Sequence, residues 1–279
     1  MTESRNNVDA ITLRQPSDLD DTLLESPLPI VIRGLVSSWP AVNKAEHSNQ
    51  SLIDYLCQFD QSHRLTALIT PPECGGRIFY NDSITGFNFE QVRTTLTRAL
   101  DQLMTFNAET PPPGLYIGST HLGHWLPGFS EDNPLLLPDK EPIASIWIGN
   151  QSRIAAHFDF PSNLACVVSG HRRVTLFPPE QINNLYVGPL DFTPAGQPIS
   201  LVDFSQPDWE AFPKFHTALE HAVVADLEPG DAIIIPSMWW HHIEATGALN
   251  VLVNYWWRSS SQFLGSPLNV LQHALLGLR

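Results

Sequence analysis

The chain has 279 residues, of which 43% are hydrophobic and 16% are charged, a composition typical of a globular protein that can bury a sizeable core. Its 15 basic and 29 acidic residues give a net charge of −14, which argues against nucleic acid as a partner because phosphate backbones are repelled. Three scattered cysteines predict neither a disulfide framework nor a thiolate zinc site, and the polar N-terminus and lack of long apolar runs argue against secretion and membrane insertion, so we expect a cytoplasmic protein.

The first 110 residues predict a mixture of helices and strands behind a polar start. Residues 1–26 are polar and are expected to be flexible, and residues 27–110 are expected to form an α+β subdomain. One helix is predicted over 88–104, because apolar residues recur there at helical spacing. The same rules predict a second helix at 51–59 and strands at 29–35, 65–70 and 77–80.

Three consecutive prolines, Pro111–Pro113, cannot continue a helix and are interpreted as the start of a core over 111–258. Residues 189–213 contain five prolines and are expected to leave the sheet and line or cover a site. Residues 259–279 predict a C-terminal helix whose apolar face packs on the core or on a second subunit in a homodimer. Short runs rich in β-forming residues predict a sandwich or jelly roll, with strands at 115–117, 146–149, 164–168, 173–177, 232–235 and 251–256.

His157 and Asp159 flank Phe158 in a segment expected to be extended, where alternate side chains share one face. His241 follows an apolar strand and the pair Trp239-Trp240, a setting that buries an imidazole beside an apolar wall. Two histidines and one carboxylate match the facial triad of non-haem Fe(II) oxygenases, which leaves coordination positions open for a cosubstrate and O2. A His-x-Asp pair occurs often by chance, so the assignment depends on the surrounding motifs.

Other motifs give weaker indications. His121 and His124 could offer two ligands to a second metal, but two ligands rarely suffice and a solvated loop is the preferred interpretation. The tryptophan pairs 239–240 and 256–257 are interpreted as core and rim aromatics. The sequence contains neither a serine nucleophile elbow nor a phosphate-binding glycine loop, which argues against hydrolases and nucleotide-binding enzymes.

Seven motif segments are spread over residues 27–257. In chain order they are Pro29–Leu35 with Trp39-Pro40, Leu115-Tyr116, His157–Asp159 with Asn163, Gly170–Arg173 leading into Leu176–Pro179, Glu228–Asp231, Pro236–Glu244 and Asn254–Trp256. In this order they resemble the JmjC-like branch of the cupin superfamily, which comprises Fe(II)- and 2-oxoglutarate-dependent hydroxylases, asparaginyl hydroxylases among them. The resemblance implies a mainly β fold, a double-stranded β-helix (jelly roll) with an N-terminal α+β subdomain and a C-terminal helix.

The same resemblance implies the roles of the site residues. Iron is held by His157, Asp159 and His241, and His242 points elsewhere because neighbours on a strand alternate. Arg172 and Tyr116 bind the distal carboxylate of 2-oxoglutarate, with Arg172 at a position where the related asparaginyl hydroxylase has lysine; its planar fork can hold a carboxylate bidentately. The remaining lining of the cosubstrate pocket is Asn163, Ile243, Asn254 and Trp256.

We therefore expect an Fe(II)- and 2-oxoglutarate-dependent oxygenase that uses O2 to hydroxylate a protein or peptide side chain or a small molecule. Two alternatives stay open at this point. One is a metal-binding cupin without 2-oxoglutarate chemistry, since the ligand types alone select metals poorly. The other is a non-catalytic jelly-roll module that keeps a metal for stability and binds a partner through residues 189–213.

Overall fold

The computed structural model describes residues 6–194 and 196–258. Strands dominate these residues, and all the strands belong to one hydrogen-bonded network. In chain order they are β1 Asn6–Asn7, β2 Asp9–Ile11, β3 Ile30–Ile32, β4 Leu65–Thr70, β5 Arg77–Ile78, β6 Glu90–Thr94, β7 Gly114–His121, β8 Ile143–Gly149, β9 Ser152–Phe158, β10 Ser162–Phe177, β11 Val223–Leu227, β12 Ala232–Ile235 and β13 Trp240–Trp257.

The helices are short and lie mostly before the central strands. They are α1 Asp21–Leu24, α2 Pro40–His47, α3 Asn49–Cys57, α4 Leu96–Phe106, α5 Leu122–Trp125, α6 Phe129–Asp132 and α7 Phe215–Glu220, with single 3-10 turns at Pro16–Asp18, Pro72–Cys74 and Pro179–Asn184. Among the described residues, no helix is both long and apolar enough to cross a bilayer.

Two long antiparallel strands, β10 and β13, generate two facing sheets. The first half of β10 and the second half of β13 lie in a major sheet ordered β2-β3-β12-β10-β13-β8-β7-β4-β6. Their other halves lie in a minor sheet, in which β11 flanks β10 and β9 flanks β13. Two sheets that share bent antiparallel strands form a jelly roll, so the predicted mainly β, double-stranded β-helix fold is confirmed.

Gly170 marks the point where β10 passes from one sheet to the other. Its φ is +77°, and the β10–β13 register shifts between Val167 and Ser169 and again between Ser169 and His171. A Cβ at this position would collide with the Asn250 side chain, so the close approach of the two strands also requires glycine. This bend explains why the two strands predicted at 164–168 and 173–177 are one continuous strand.

The space between the sheets is apolar at its closed end, where Val167, Leu176, Ile233 and Ala225 are buried together. Helices α2, α3 and α4 cover the outer face of the major sheet. The outer face of the minor sheet is covered by α7 and the segment around residues 182–204. Both sheets are therefore shielded from solvent on the outside, and polar groups between them are removed from bulk water.

The structure shows that the single helix predicted over 88–104 is wrong in its first half. Residues 90–94 form β6, which pairs with β4, and the helix begins at Leu96 after an extended Thr95 with φ −110° and ψ 164°. Val92 and Thr94 are β-branched and fit a strand. The spacing of apolar residues in this region cannot by itself distinguish a helix from a half-buried edge strand. Tertiary pairing with β4 decides between the two.

Residues 6–26, expected to be flexible, contain β1, β2 and α1, and Leu19 and Leu24 are buried. β4 pairs with β7, so the segments on both sides of the expected boundary at residue 111 contribute to one sheet. The division into 27–110 and 111–258 stays a prediction. The helix and the homodimer contact expected from 259–279 fall outside the described residues.

Candidate metal centre and cosubstrate pocket

The three predicted iron ligands lie together in the minor sheet. His157 near the end of β9 is paired directly with His241 near the start of β13, and their ring centroids are 4.3 Å apart. Asp159 follows β9 by one residue, and its Oδ2 lies 3.8 Å from His241 Nε2. One ligand atom from each of the three residues lies within 4.8 Å of the others, a spacing that one metal ion can bridge.

Both histidines present the same nitrogen to this centre. His157 Nδ1 donates to the backbone carbonyl of Ala155 at 2.9 Å, and His241 Nδ1 donates to that of Trp239 at 3.0 Å. A carbonyl can only accept, so the proton is on Nδ1 and the Nε2 lone pair is available to a metal. Burial, together with the nearby His157, lowers the pKa of His241 to about 4, which keeps this ring neutral at pH 7.

Asp159 is held by two further contacts. The Trp256 indole donates from Nε1 to Asp159 Oδ2 at 3.2 Å, and the Met238 backbone N–H donates to the Asp159 carbonyl at 2.9 Å. Met238 has a φ of +69°, a left-handed conformation in the turn between β12 and β13. These contacts join the loop after β9 to the start of β13, so carboxylate and imidazole are held on one side of the cavity.

His242 lies on the other face of β13. Its ring packs against Phe204 at 4.4 Å between centroids, and both of its nitrogens are buried without a hydrogen-bond partner among the described residues. Burial lowers the pKa of His242 to about 3, so this ring is neutral. His241, and not its neighbour, therefore faces Asp159.

A cavity of about 460 Å³ opens between the two sheets beside the metal ligands. Every residue that the sequence analysis assigned to the site lines it: Tyr116, His157, Asp159, Asn163, Arg172, His241, Ile243, Asn254 and Trp256. The sheets bring these residues together from four strands and one loop, although 140 positions separate the first from the last. Their individual roles stay predictions.

Arg172 is the cation at the inner end of this cavity. It is only 5% exposed, and its Nε is buried without a hydrogen-bond partner among the described residues. Burial lowers the pKa of Arg172 to about 10, so the guanidinium is still charged at pH 7. Burial likewise raises the pKa of the nearby Tyr116, which keeps its hydroxyl protonated as a donor. A buried guanidinium that forms no ion pair with any described residue fits a site that receives an anionic group.

Two amides and an indole form a chain along the major sheet. Trp147 Nε1 donates to Asn254 Oδ1 at 2.7 Å, and Asn254 Nδ2 donates to Asn163 Oδ1 at 3.4 Å. An indole N–H can only donate, which fixes the orientation of the first amide and, through it, the second. Asn163 Nδ2 is then left as a donor for a ligand in the cavity.

Sequence reasoning missed Trp147, which lines the cavity and packs edge-on against Trp256 with centroids 5.9 Å apart. The available signal was its place in the run Ile146-Trp147-Ile148, where alternation puts the indole on the face opposite its buried neighbours. His121 and His124 are not grouped as ligands within the described residues; His124 stacks on His63 at 4.5 Å instead.

Comparison with known proteins agrees with this geometry. A family model described as a cupin-like domain matches residues 16–263. The chain is 26% identical over 272 residues to the lysine-specific demethylase JMJ31 of Arabidopsis thaliana, covering 88% of this chain and 48% of that protein.

Two further relatives are a Jumonji C domain-containing protein and a tRNA wybutosine-synthesizing protein. Identity is 25% over 278 residues to Jumonji C domain-containing protein 5 of Drosophila melanogaster, covering 92% of this chain and 62% of that protein. The chain is 34% identical over 102 residues to tRNA wybutosine-synthesizing protein 5 of Danio rerio, covering 37% of this chain and 28% of that protein. The chain thus spans less than two thirds of each of these relatives. The chain belongs to the cupin-like, JmjC-type domain family, as its motifs had indicated.

Proposed function

We propose that this protein is an Fe(II)- and 2-oxoglutarate-dependent oxygenase that hydroxylates a protein or peptide side chain or a small molecule. The observation that carries the proposal is a single cavity that joins a two-histidine, one-carboxylate centre to the buried Arg172, whose Nε has no hydrogen-bond partner among the described residues. Binding of 2-oxoglutarate needs both features, because one end of this keto acid chelates the metal and its second carboxylate requires a cation.

The residues divide into two groups by the atoms that they offer. His157, Asp159 and His241 would hold Fe(II) through two Nε2 atoms and one carboxylate oxygen. Fe(II), when bound with 2-oxoglutarate and O2, supplies the oxidising chemistry that places one oxygen atom in the substrate and forms succinate and CO2. Trp256 keeps Asp159 in position through its indole N–H, which is the way in which a neighbouring donor orients a ligating carboxylate.

Arg172 and Tyr116 would bind the distal carboxylate of 2-oxoglutarate. The guanidinium supplies charge and a planar pair of donors, and the phenol supplies one further donor. Asn163, whose amide is oriented through Asn254, adds a donor on the major-sheet side. Ile243 and Trp256 exclude water from the space between the two ends.

The two alternatives predict different cavities. A cupin that binds metal without 2-oxoglutarate needs no cation at the inner end, so a buried, charged Arg172 whose Nε has no partner among the described residues favours the oxygenase. A binding module needs no cavity of about 460 Å³ next to the metal ligands, since a partner would contact the outer surface. One relative is named as a demethylase, and this name bears on which substrate an oxygenase would take and not on whether the protein is an oxygenase.

Anaerobic titration with Fe(II) and then 2-oxoglutarate tests the proposal. We expect a metal-to-ligand charge-transfer band in the visible spectrum, and succinate when O2 is admitted. The band should be absent in a His157→Ala, Asp159→Ala double variant. A metal that binds without any band on addition of 2-oxoglutarate would favour the cupin alternative, and retention of the band in the double variant would refute the assigned ligands.

A further inference from the structure

Trp147 lies in the cavity wall at a place that the fold keeps open for its ring. Strand β7 has a bulge at Gly118-Ser119, where its register with β8 shifts and Ser119 has a φ of +49°. A Cβ on Gly118 would lie 2.9 Å from a carbon of the Trp147 ring and 3.1 Å from the Tyr116 ring, which is too close for carbon atoms. The bulge and the glycine together therefore leave room for the indole.

The indole N–H of Trp147 begins a chain of hydrogen bonds that has one direction. It donates to Asn254, and Asn254 donates to Asn163. Neither amide side chain forms another hydrogen bond with a described residue. If the Asn254 amide turned over, its NH2 group would lie against the indole N–H with 2.7 Å between the nitrogen atoms, donor against donor. Trp147 thus allows one orientation of Asn254, which in turn sets the orientation of Asn163.

The ligand assigned to this cavity accepts hydrogen bonds and donates none. The inference drawn from this property rests on the proposed oxygenase function, in which the cavity binds 2-oxoglutarate as a dianion. The two carboxylates and the keto group of this ion offer oxygen lone pairs alone. Arg172 and the protonated Tyr116 line the cavity as donors. Asn163 helps to bind such a ligand only when its Nδ2 faces the cavity, because its Oδ1 would lie against another oxygen.

We propose that Trp147 is a positioning residue, which holds Asn163 as a hydrogen-bond donor towards 2-oxoglutarate. A side chain that can only donate is at one end of the chain of hydrogen bonds, and a ligand that can only accept is at the other. The two asparagines transmit the direction, because each accepts on one side and donates on the other. Without the indole N–H, Asn254 Oδ1 is buried without a partner whenever Asn163 donates to the ligand, and this weakens binding.

Trp147→Phe separates the role of the N–H group from that of the ring. Trp147 packs edge-on against Trp256, which donates to Asp159, so loss of the whole ring would also disturb a metal ligand. Phenylalanine keeps a ring there and removes the donor. We expect the Kd for 2-oxoglutarate to rise about 10-fold in the Mn(II)-loaded protein, with the affinity for Mn(II) unchanged. Calorimetric titration measures both quantities without turnover.

Trp239→Phe is the matched control. Its indole N–H donates to the Pro27 carbonyl at 3.1 Å, and Trp239 is not among the described residues that line the cavity. This variant also loses one indole hydrogen bond, so it should be less stable than the wild type while its Kd for 2-oxoglutarate stays at the wild-type value. A rise in Kd equal to that of Trp147→Phe would overturn the proposal, because lost stability alone would then explain the effect.

A double-mutant cycle shows whether Trp147 acts through Asn163. Asn163→Ala removes the donor and should by itself raise the Kd for 2-oxoglutarate about 10-fold. Trp147→Phe should have no further effect in the Asn163→Ala background, since the group that it orients is gone. Additive effects, which would raise the Kd about 100-fold in the double variant, would overturn the proposal. A wild-type Kd in Trp147→Phe would overturn it as well.

Failure of this positioning role differs from failure of the oxygenase function. If the wild type binds 2-oxoglutarate and the two substitutions are additive, the role of Trp147 is refuted and the oxygenase function stands. If the Mn(II)-loaded wild type does not bind 2-oxoglutarate, both are refuted.

Discussion

His241 and His242 are neighbours in β13, yet their rings lie on opposite faces of the minor sheet. His241 Nε2 lies 3.8 Å from Asp159 Oδ2 inside the cavity, whereas His242 packs on Phe204 outside it. Strand alternation therefore assigns two identical side chains to different environments.

His241→Ala should abolish the charge-transfer band and weaken Fe(II) binding by at least about 100-fold, because it removes one of three protein ligands. His242→Phe, which keeps a ring against Phe204, should bind Fe(II) with wild-type affinity. Metal content after dialysis and anaerobic spectra measure both. A larger loss of iron in His242→Phe would contradict the assigned faces.

Arg172→Met should weaken 2-oxoglutarate binding by about 100-fold, since a charged hydrogen-bonding partner is lost, and Arg172→Lys by about 10-fold, since a point charge replaces a planar fork. The neighbouring Arg173 provides a control. Its side chain is exposed and lies 3.5 Å from Asp226, so Arg173→Met should leave the Kd unchanged. Calorimetric titration in the presence of Mn(II) gives these values, and equal effects at the two positions would exclude the proposed carboxylate site.

Trp256→Phe should weaken Fe(II) binding by about 10-fold, because Asp159 loses the indole donor that orients it. Trp257→Phe makes the same chemical change next to it. The Trp257 indole N–H is buried without a partner among the described residues, so its removal breaks no hydrogen bond. We expect Trp257→Phe to change the free energy of unfolding but not the affinity for Fe(II). Identical iron affinities in the two variants would show that the indole N–H of Trp256 does not position Asp159.

Asp203→Asn tests a pH-dependent contribution to stability. Burial by itself would raise the pKa of Asp203, but hydrogen bonds from Ser205 and the charges of Arg77 and Arg153 outweigh it and lower the pKa below its usual value. A carboxyl with a lowered folded-state pKa stabilises the fold at neutral pH, and this contribution is lost as the pH falls through that lowered pKa.

The wild type should therefore exceed Asp203→Asn in free energy of unfolding by about 1 kcal/mol at pH 7, and the difference should shrink towards pH 3. Urea denaturation at several pH values measures it. Asp226→Asn, at an exposed ion pair, should show a smaller difference at pH 7. A difference that grows on acidification would contradict the contacts of Asp203.

Gly170→Ala should destabilise the fold by about 2 kcal/mol or more, because the residue has φ +77° and an added methyl group would collide with Asn250. Thermal unfolding measures the loss. Gly196→Ala is the control, since Gly196 has the same φ but no atom of the described residues lies within 4 Å of an added Cβ. Equal losses in the two variants would show that conformation alone, without the close approach, requires glycine in β10.

The sequence by itself determined the candidate ligand types and their spacing. Alternation along a strand puts His157 and Asp159 on one face, and short β-rich runs predict the jelly roll, because both are local consequences of backbone geometry. The predicted strands 65–70 and 232–235 coincide with β4 and β12 for the same reason. Local patterns could not show that β10 is one bent strand, since the bend depends on the contact between Gly170 and Asn250.

Only the tertiary structure showed that the distant residues implied by the resemblance share one cavity, and that Trp147 lines it with them. The pairing of β9 with β13 puts His157 opposite His241, and the edge-on contact of Trp147 with Trp256 brings in a residue that no motif indicated. Tertiary pairing also made residues 90–94 a strand, against their helical spacing. Register and burial arise from contacts between residues far apart in sequence. The candidate ligand set can therefore be read from the chain, whereas the burial of Arg172, with no partner for its Nε among the described residues, depends on the fold.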